Sequence, residues 1–333
     1  MRRVRPTVSV VVPTYRRDDL LDRCLAALAA QEFDPSAYEV IVCDDAASTA
    51  TRQLVASLAA RSRSSVRYLP VTGTQGPAAA RNRGWQVACG AIIAFTDDDC
   101  VPDPGWLREG TQAFDVCGDH RHGGRVMGVC GRIIVPLSAV PTDYERDVAG
   151  LEIAEFATAN CFYRRDALEA VGGFDERFMA AWREDADLFF ALLERGDCVA
   201  CAPDAVVVHP VRPARWGVSI GQQRKSMYNA LLYKKHPALY RERIQRVPPL
   251  HYYGVVSGLL AAAIGILRGS GRLTQVGCGL WLIFTGRFCA RRLRGTSRAP
   301  RHVAEMVATS AVIPTLSIFW RLRGALRFRA LFC

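Results

Sequence analysis

Acidic side chains nearly vanish from the last part of this chain. Residues 241–333 hold only Glu242 and Glu305 against 15 arginines, a net charge of +13, whereas residues 1–240 sum to −2. The overall +11 is therefore no uniform basic coat. A basic character confined to one end suits nucleic acid or anionic lipid, and the apolar runs between the arginine clusters select membrane lipid and argue against nucleic acid. The twelve cysteines show no framework spacing. Cys43, Cys89 and Cys161 stand singly in apolar runs, as small buried hydrophobes of a reducing compartment do. Cys198-x-x-Cys201 has no second pair nearby, so a strand packing position accounts for it better than a metal or redox site. No long apolar stretch lies between the charged start Met-Arg-Arg-Val-Arg-Pro and Pro13, so no secretory signal is read and the N-terminal domain is expected in the cytoplasm. Internal repeats and low-complexity stretches are lacking too.

What is present is a chain of 333 residues, half of them hydrophobic. That is enough for a catalytic domain of roughly 200–250 residues and an appendage. The division expected is a first domain over 1–240 and a basic, apolar, helical region over 241–333. Residues 8–12 form a β-branched apolar run ended by Pro13-Thr14, a buried strand entering a loop. Leu20, Leu21, Cys24, Leu25 and Leu28 then share one helical face. Further strands are expected at 40–43, 66–69 and 91–95, with helices over 51–60 and from Gly76-Pro77 to Val87. Such alternation predicts an α/β fold with a parallel sheet and helices on both faces. Beyond Pro102 the pattern mixes. Strands are expected at 126–135, 159–163, 199–200 and 205–208, and helices at 165–171, 184–193 and 219–235.

In sheets of this kind ligands bind beyond the carboxyl ends of the strands. Thr14-Tyr15, Asp44-Asp45 and Asp97-Asp98-Asp99 all follow directly on a strand. A single Asp there can simply cap a helix or turn the chain. Three adjacent aspartates repel one another and call for a compensating cation. Two carboxylates at i and i+2 can share one hard cation with phosphate oxygens, the usual way Mg²⁺ or Mn²⁺ is held.

Six motifs, in order, resemble a family 2 glycosyltransferase of the inverting, membrane-associated bacterial type. They are Val-Ser-Val-Val-Val-Pro-Thr-Tyr (8–15), Val-Cys-Asp-Asp-Ala-Ala-Ser (42–48), Gly-Pro-Ala-Ala-Ala-Arg-Asn-Arg-Gly (76–84), Phe-Thr-Asp-Asp-Asp (95–99), Gly-Gly-Phe-Asp-Glu-Arg-Phe (172–178) and Arg-Glu-Asp-Ala-Asp-Leu (183–188). Each is weak alone, and together they span about 200 residues with high specificity. Ala46-Ala47 departs from the Gly-Ser or similar small polar pair usual in the family. The resemblance implies a GT-A (Rossmann-like) fold and a hexosyltransferase-type, nucleotide-sugar-dependent enzyme. It implies the DXD motif as its metal site and work in cell-envelope polysaccharide or glycolipid synthesis.

Carried over residue by residue, the resemblance puts Pro13, Thr14 and Tyr15 beside the nucleotide base. Asp44 or Asp45 accepts a hydrogen bond from the base ring. Arg81 and Asn82 lie near the donor, although Arg81 can equally make a structural ion pair with one of the aspartates. Asp97 and Asp99 hold a divalent cation, Mn²⁺ or Mg²⁺, and the diphosphate, leaving Asp98 to the ribose. Glu184-Asp185 matches the family's catalytic acid pair, with Asp185 as general base for the acceptor hydroxyl. Read without the resemblance, Glu184, Asp185 and Asp187 are first-turn acids favoured by a helix dipole. His209 is a third metal ligand or a structural histidine. Trp182 and Asn160 fall on the acceptor side, where Trp182 stacks on a sugar or serves as core. The donor expected is a UDP-sugar, the family's commonest, and the acceptor a saccharide or a lipid-linked one.

Residues 247–267 carry no formal charge; at 1.5 Å per residue their length spans a bilayer. Residues 273–286 and 306–320 are uncharged but shorter than the usual ~20. Arginines flank the first two segments on the outside, so a hairpin over about 247–267 and 273–290, turning at Gly269-Ser270-Gly271, keeps both clusters on the cytoplasmic face of the membrane. The third segment, about 303–320, is positive at both ends and is expected to be interfacial or re-entrant. A soluble helical subdomain is the alternative. Two rival functions are a nucleotidyltransferase, whose Gly-rich phosphate loop is not found in Pro13-Thr14-Tyr15-Arg16-Arg17, and a non-catalytic nucleotide-sugar-binding membrane protein, which has no need of a base and a metal pair.

Overall fold

The computed structural model describes residues 5–116 and 125–332; the charged start over residues 1–4 lies outside them. Two compact units divide the chain, one made of residues 1–136 and 149–211, the other of residues 137–148 and 212–333. The boundary expected at 240 thus falls at 211/212, and a short excursion from the sheet domain belongs to the second unit. The reason is local: residues 218–244 form short helices that contact one another and the last helix of the chain rather than strands of the sheet.

In the first unit the elements run β1 (Val8–Thr14), α1 (Asp18–Ala29), β2 (Tyr38–Asp44), α2 (Thr49–Ala59), β3 (Ser65–Pro70), α3 (Pro77–Val87), β4 (Ile92–Phe95), β5 (Val101–Pro102), α4 (Trp106–Val116) and β6 (Val126–Ile134). After the excursion, which carries α5 (Asp143–Val148), follow β7 (Cys161–Arg164), α6 (Arg165–Val171), α7 (Glu184–Glu194) and β8 (Cys198–Val208). The sheet order is β3-β2-β1-β4-β7-β6-β8-β5. The first four strands are parallel, as the alternating pattern predicts. The rest of the sheet is mixed: β7 is antiparallel to β4 and to β6, β8 is parallel to β6, and β5 is antiparallel to β8. Strict strand–helix alternation ends at Phe95, and without it no βαβ crossover forces parallel pairing.

β1 and β2 are buried along almost their whole length, which is why both read as unbroken apolar runs. Leu21, Cys24, Leu25 and Leu28 form the buried stripe of α1. α3 is short of large apolar residues yet lies flush on the sheet, because Gly84 leaves no gap. A Cβ there would press into Val11 and come 2.7 Å from the Cys43 sulfur. The two strands expected at 199–200 and 205–208 are one strand, β8, with its register shifted between Gly131 and Arg132 of its partner β6. Pro203 lies in that irregular stretch, where the ladder does not need its missing N–H.

In the second unit the helix expected over 219–235 is broken into α8 (Val218–Gln222), a 3₁₀ turn (Gln223–Met227) and α9 (Tyr228–Lys235). The one-turn α10 (Pro237–Leu239) and a π-helical turn (Tyr240–Ile244) follow. Three long helices close the chain: α11 (Leu250–Leu267), α12 (Gly271–Leu293) and α13 (Pro300–Phe328). α11 and α12 pack against each other as a helical hairpin. Gly269 turns it with φ +66° and the Ser270 side chain caps α12 by accepting from the Leu273 N–H. Glycines let the two backbones touch. A Cβ at Gly258 would lie 2.8 Å from the Trp281 nitrogen, and one at Gly277 would collide with Ala262.

Two helices among the described residues are long and apolar enough to cross a membrane, α11 and α13. α12 does not qualify, since Arg272, Arg287, Arg291 and Arg292 interrupt its apolar length. α13, expected as a short interfacial piece, runs 29 residues through Pro314. Arg292 of α12 is buried and fully engaged. It donates to Asp143 of α5 (2.7 and 3.0 Å), to Thr309 and Ser310 of α13, and to Ser219 of α8.

Gly84→Val is expected to overpack the contact of α3 with β1 and β2. It should lower the chain's stability by about 1–3 kcal/mol, read as a fall in the urea midpoint in detergent, whereas Gly221→Ala, with open space around its Cβ position, should leave the midpoint unchanged.

Candidate active site

The ends of β1, β2 and β4 bring the predicted polar residues together. Thr14 donates to Asp98 at 2.8 Å, and Arg17 reaches the other Asp98 oxygen at 3.1 Å. Asp98 is buried, and burial pushes its carboxyl up while Arg17 and Thr14 pull it back. The structure therefore uses Asp98 to tie the β1 and β4 ends together, where the sequence assigned it to a ribose. Pro13 is half-buried in the same strand, and Tyr15 beyond it is 49% exposed under the Arg16 guanidinium.

Asp44 and Asp45 have different environments. Asp44 is fully buried and accepts from the Ala46 and Ser48 N–H groups and from the Tyr68 hydroxyl (2.9, 2.6 and 3.0 Å). Its carboxylate is used up in shaping the loop, including Ala47 with its left-handed φ of 48°. That loop is where the sequence departs from the family, and a non-glycine there costs of order 1–2 kcal/mol. Asp45 accepts one bond, from the Gly76 N–H at 2.9 Å, and its buried Oδ1 has no partner. Burial raises its carboxyl above the usual range.

Arg81 is buried and lies between two acids. Its Nη2 meets Asp97 at 2.7 Å and its Nη1 meets Glu184 at 3.0 Å, the structural ion pairing that was the alternative to a donor contact. Glu184 also accepts from the Trp182 N–H at 2.7 Å. Burial pushes its carboxyl up to about 7, helped by neighbouring Asp185 and opposed by Arg81. Arg183, in left-handed conformation at φ 79°, turns the chain so that Glu184 and Asp185 open α7. Asp185 is raised by burial, held back by the Ala186 N–H and by the charges of Arg183 and Arg81. The helix N-terminus favours the ionised form of both.

Asp97 is expected to ligate a cation, but its side chain is drawn to Arg81. The ligand atoms that cluster are those of Asp99, Cys100 and His209, all within 4.8 Å of one another. His209 Nε2 is 3.5 Å from Asp99 Oδ1, and its buried Nδ1 has no partner. An acid, an imidazole and a thiol in one buried cluster fit a divalent cation. Cys100 was not foreseen: one cysteine beside three aspartates carries no spacing signal of its own.

Two predicted residues are structural. Asn82 spends its amide on the next loop, donating to the Phe174 carbonyl and Glu176 and accepting from the Trp85 indole and the Phe174 N–H (2.8–3.0 Å). Gly173 (φ +73°) follows the same need, since a Cβ there would lie 2.6 Å from Asn82 Oδ1. Asn160 is buried, accepts from the Trp106 indole and donates to the carbonyls of Arg132 and Ala205, bridging the irregular step of β6 and β8. Both looked like ligand contacts because polar residues near motifs do; only packing shows their amides consumed. Trp182 is 38% exposed beneath the Arg183 guanidinium, not core.

A half-parallel α/β sheet with acids at its strand ends and a cation-capable cluster defines a nucleotide-sugar transferase of the GT-A class. The family model "Glycosyl transferase family group 2" matches residues 92–290 and "Glycosyl transferase family 2" matches residues 9–172. The chain belongs to the family 2 glycosyltransferases, enzymes that act on nucleotide sugars. It is 28% identical over 219 residues to the glycosyltransferase AglE of Haloferax volcanii, covering 62% of this chain and 68% of that one. It is 34% identical over 94 residues to the GalNAc(5)-diNAcBac-PP-undecaprenol beta-1,3-glucosyltransferase of Campylobacter jejuni, covering 28% and 30%. Against the validoxylamine A glucosyltransferase of Streptomyces hygroscopicus it spans only 22% of that protein's length. Among solved structures, the mannosyltransferase PcManGT of Pyrobaculum calidifontis, in complex with GDP-Man and Mn²⁺, superposes with a TM-score of 0.63 at 19% identity, over 96% of this chain and 88% of that one, which establishes the shared fold.

Arg81→Met leaves Glu184 buried without its cation and should cost about 3–5 kcal/mol. Adding Glu184→Gln should recover part of that loss, because the charge buried at Glu184 is then removed and only the more exposed Asp97 is left without its partner. A double-mutant cycle in urea reads the coupling, and additive losses would show that the pair does not interact.

Proposed function

We propose that this protein transfers a sugar, with inversion at the anomeric carbon, from a nucleoside diphosphate to an acceptor hydroxyl at the cytoplasmic face of a membrane. The observation that carries this reading is the buried guanidinium of Arg81 joining Asp97, at the end of β4, to Glu184, next to Asp185. Acids of the proposed cation side and of the proposed base side are thereby held on either side of one guanidinium.

Asp45 Oδ1 is the base-recognising atom, since it is buried and otherwise without a donor. An ionised carboxylate only accepts, so it pairs with a donor on the base, either a ring N–H, as in uracil and guanine, or an exocyclic amine. Asp99 and His209, with Cys100 beside them, hold the divalent cation. When bound, the cation supplies Lewis acidity toward the departing diphosphate. Asp185 takes the proton of the acceptor hydroxyl as its oxygen attacks. Glu184 and Arg81 fix the start of α7 so that the Asp185 carboxylate faces the reacting oxygen. Trp182, partly exposed beside them, offers its face to the acceptor sugar. α11 and α13 anchor the protein in the bilayer, and the exposed arginines Arg287, Arg291, Arg294, Arg298 and Arg301 face anionic headgroups. A lipid-linked acceptor fits that location.

Asp99→Ala should abolish cation-dependent donor binding, whereas Asp185→Asn should keep donor binding and lose transfer by roughly 10²–10⁴-fold. Both are read by calorimetry and by product release on a panel of UDP-, GDP- and ADP-sugars with and without Mn²⁺. Full turnover by Asp185→Asn would remove it as the base, and unchanged donor affinity in Asp45→Ala would remove Asp45 from base recognition.

The acid pair also sets a pH dependence. Glu184 and Asp185 both titrate above the ordinary carboxylate range and do so as a pair. Below the midpoint the base is protonated and transfer is lost; above it transfer is present. The acid limb of kcat should therefore lie above the ~4 of a free carboxylate. Glu184→Gln, by removing a negative neighbour, should shift the limb to lower pH. A limb left unmoved would show that the two acids titrate independently.

A further inference from the structure

Cys198-x-x-Cys201 reads as packing, and within β8 it is no redox pair. Residues i and i+3 of a strand point to opposite faces, about 10 Å apart along the chain at 3.3 Å per residue. The sheet gives Cys201 a different neighbour. Cys201 of β8 is the register partner of Cys130 of β6, which is in turn the register partner of Cys161 of β7. Three cysteines from distant parts of the chain thus form one row across one face. The row grades from solvent to core: Cys201 is exposed, Cys130 half-buried and Cys161 fully buried. The sulfurs of Cys130 and Cys201 are 2.9 Å apart.

We propose that Cys130 and Cys201 are a redox modification site, closing to a cross-strand disulfide when exposed to a low-molecular-weight disulfide such as oxidised glutathione. Paired strands hold the two Cα atoms within the 4.4–6.8 Å that a disulfide spans, so closure needs no backbone movement. Cys201 acts first because it is exposed. Its thiolate attacks one sulfur of the small disulfide, and the other leaves as a thiolate. Cys130 then loses its proton to solvent and attacks the Cys201 sulfur, expelling the second small thiol. Two protein thiols are oxidised and one small disulfide is reduced to two thiols, a two-electron exchange. Burial, with Cys201 beside it, pushes the Cys130 thiol up to about 12, so Cys130 is the resolving group and not the first nucleophile. Cys161 occupies the next place in the row, but it is fully buried behind Cys130 and out of reach of the small molecule.

The bond would tie β6 to β8 one residue before the irregular step that Asn160 bridges, on the strand that ends at His209. The reduced protein therefore carries free thiols, and the oxidised one a staple on the strand that delivers the cation-ligating histidine.

The test uses the full-length protein in detergent. It is incubated with oxidised glutathione, the remaining thiols are blocked with iodoacetamide, and the protein is digested without reduction for peptide mass mapping. The expected result is a linked pair of peptides containing Cys130 and Cys201, lighter by two hydrogens than the two thiol peptides, with Cys198 blocked as a free thiol. Reduction should return both peptides. In Cys130→Ser, Cys201 should stop at the glutathione adduct. A bond between Cys198 and Cys201, a bond between Cys130 and Cys161, or both Cys130 and Cys201 blocked as thiols while exposed Cys89 and Cys278 are glutathionylated would each overturn the proposal. The map of the unmutated protein decides the matter even if the variant does not fold.

Discussion

The buried guanidinium of Arg81 is the constraint on which the site depends. It donates to Asp97, at the tip of a central strand, and to Glu184, at the start of a helix that begins more than eighty residues later in the chain. A buried arginine is tolerated only where its charge is matched by acids close by. Here the matching acids come from the end of β4 and the start of α7, so one side chain ties the two elements together. The same contact matches the charge of buried Glu184, whose carboxyl burial raises to about 7 against the pull of Arg81.

Around that contact, other carboxylates are sorted by their surroundings. Asp44 and Asp98 are saturated from within and shape the loops. Asp45 retains a buried, unpartnered oxygen, and His209 stands by Asp99 with an unpartnered nitrogen. Atoms of this kind are costly to leave without a partner, and a site that binds and releases ligands is where a protein keeps them. Side chains of one chemical type thus perform two tasks, set by how many donors the fold aims at each.

The helical unit is organised by a second buried arginine. Arg292 gathers α5, α8 and α13 through Asp143, Ser219, Thr309 and Ser310, while glycines let α11 and α12 close to backbone contact. Its exposed apolar side chains, among them Leu260, Ile266, Leu267, Leu282 and Ile283, need covering, and the two helices of spanning length give the lipid reading its physical footing.

The parallel half of the sheet, the helix boundaries of α3 and α6, the hairpin turn at Gly269 and the family itself were legible in the sequence, because periodicity, turn residues and ordered motifs are local or strictly sequential signals. That Asp99 and His209 lie at ends of strands was legible for the same reason; that their ligand atoms cluster with Cys100 was not. The mixed half of the sheet, the division at 211/212 and the continuity of α13 were not, since they depend on which distant segments pair and pack. Nor could the sequence separate Asp44 from Asp45, or show that Asn82, Asn160 and Asp98 spend their polar atoms internally. By itself the sequence determined which chemical groups stand at the strand ends. Only the tertiary structure decided which remain free to act, because hydrogen-bond capacity is consumed by neighbours that the chain order does not reveal.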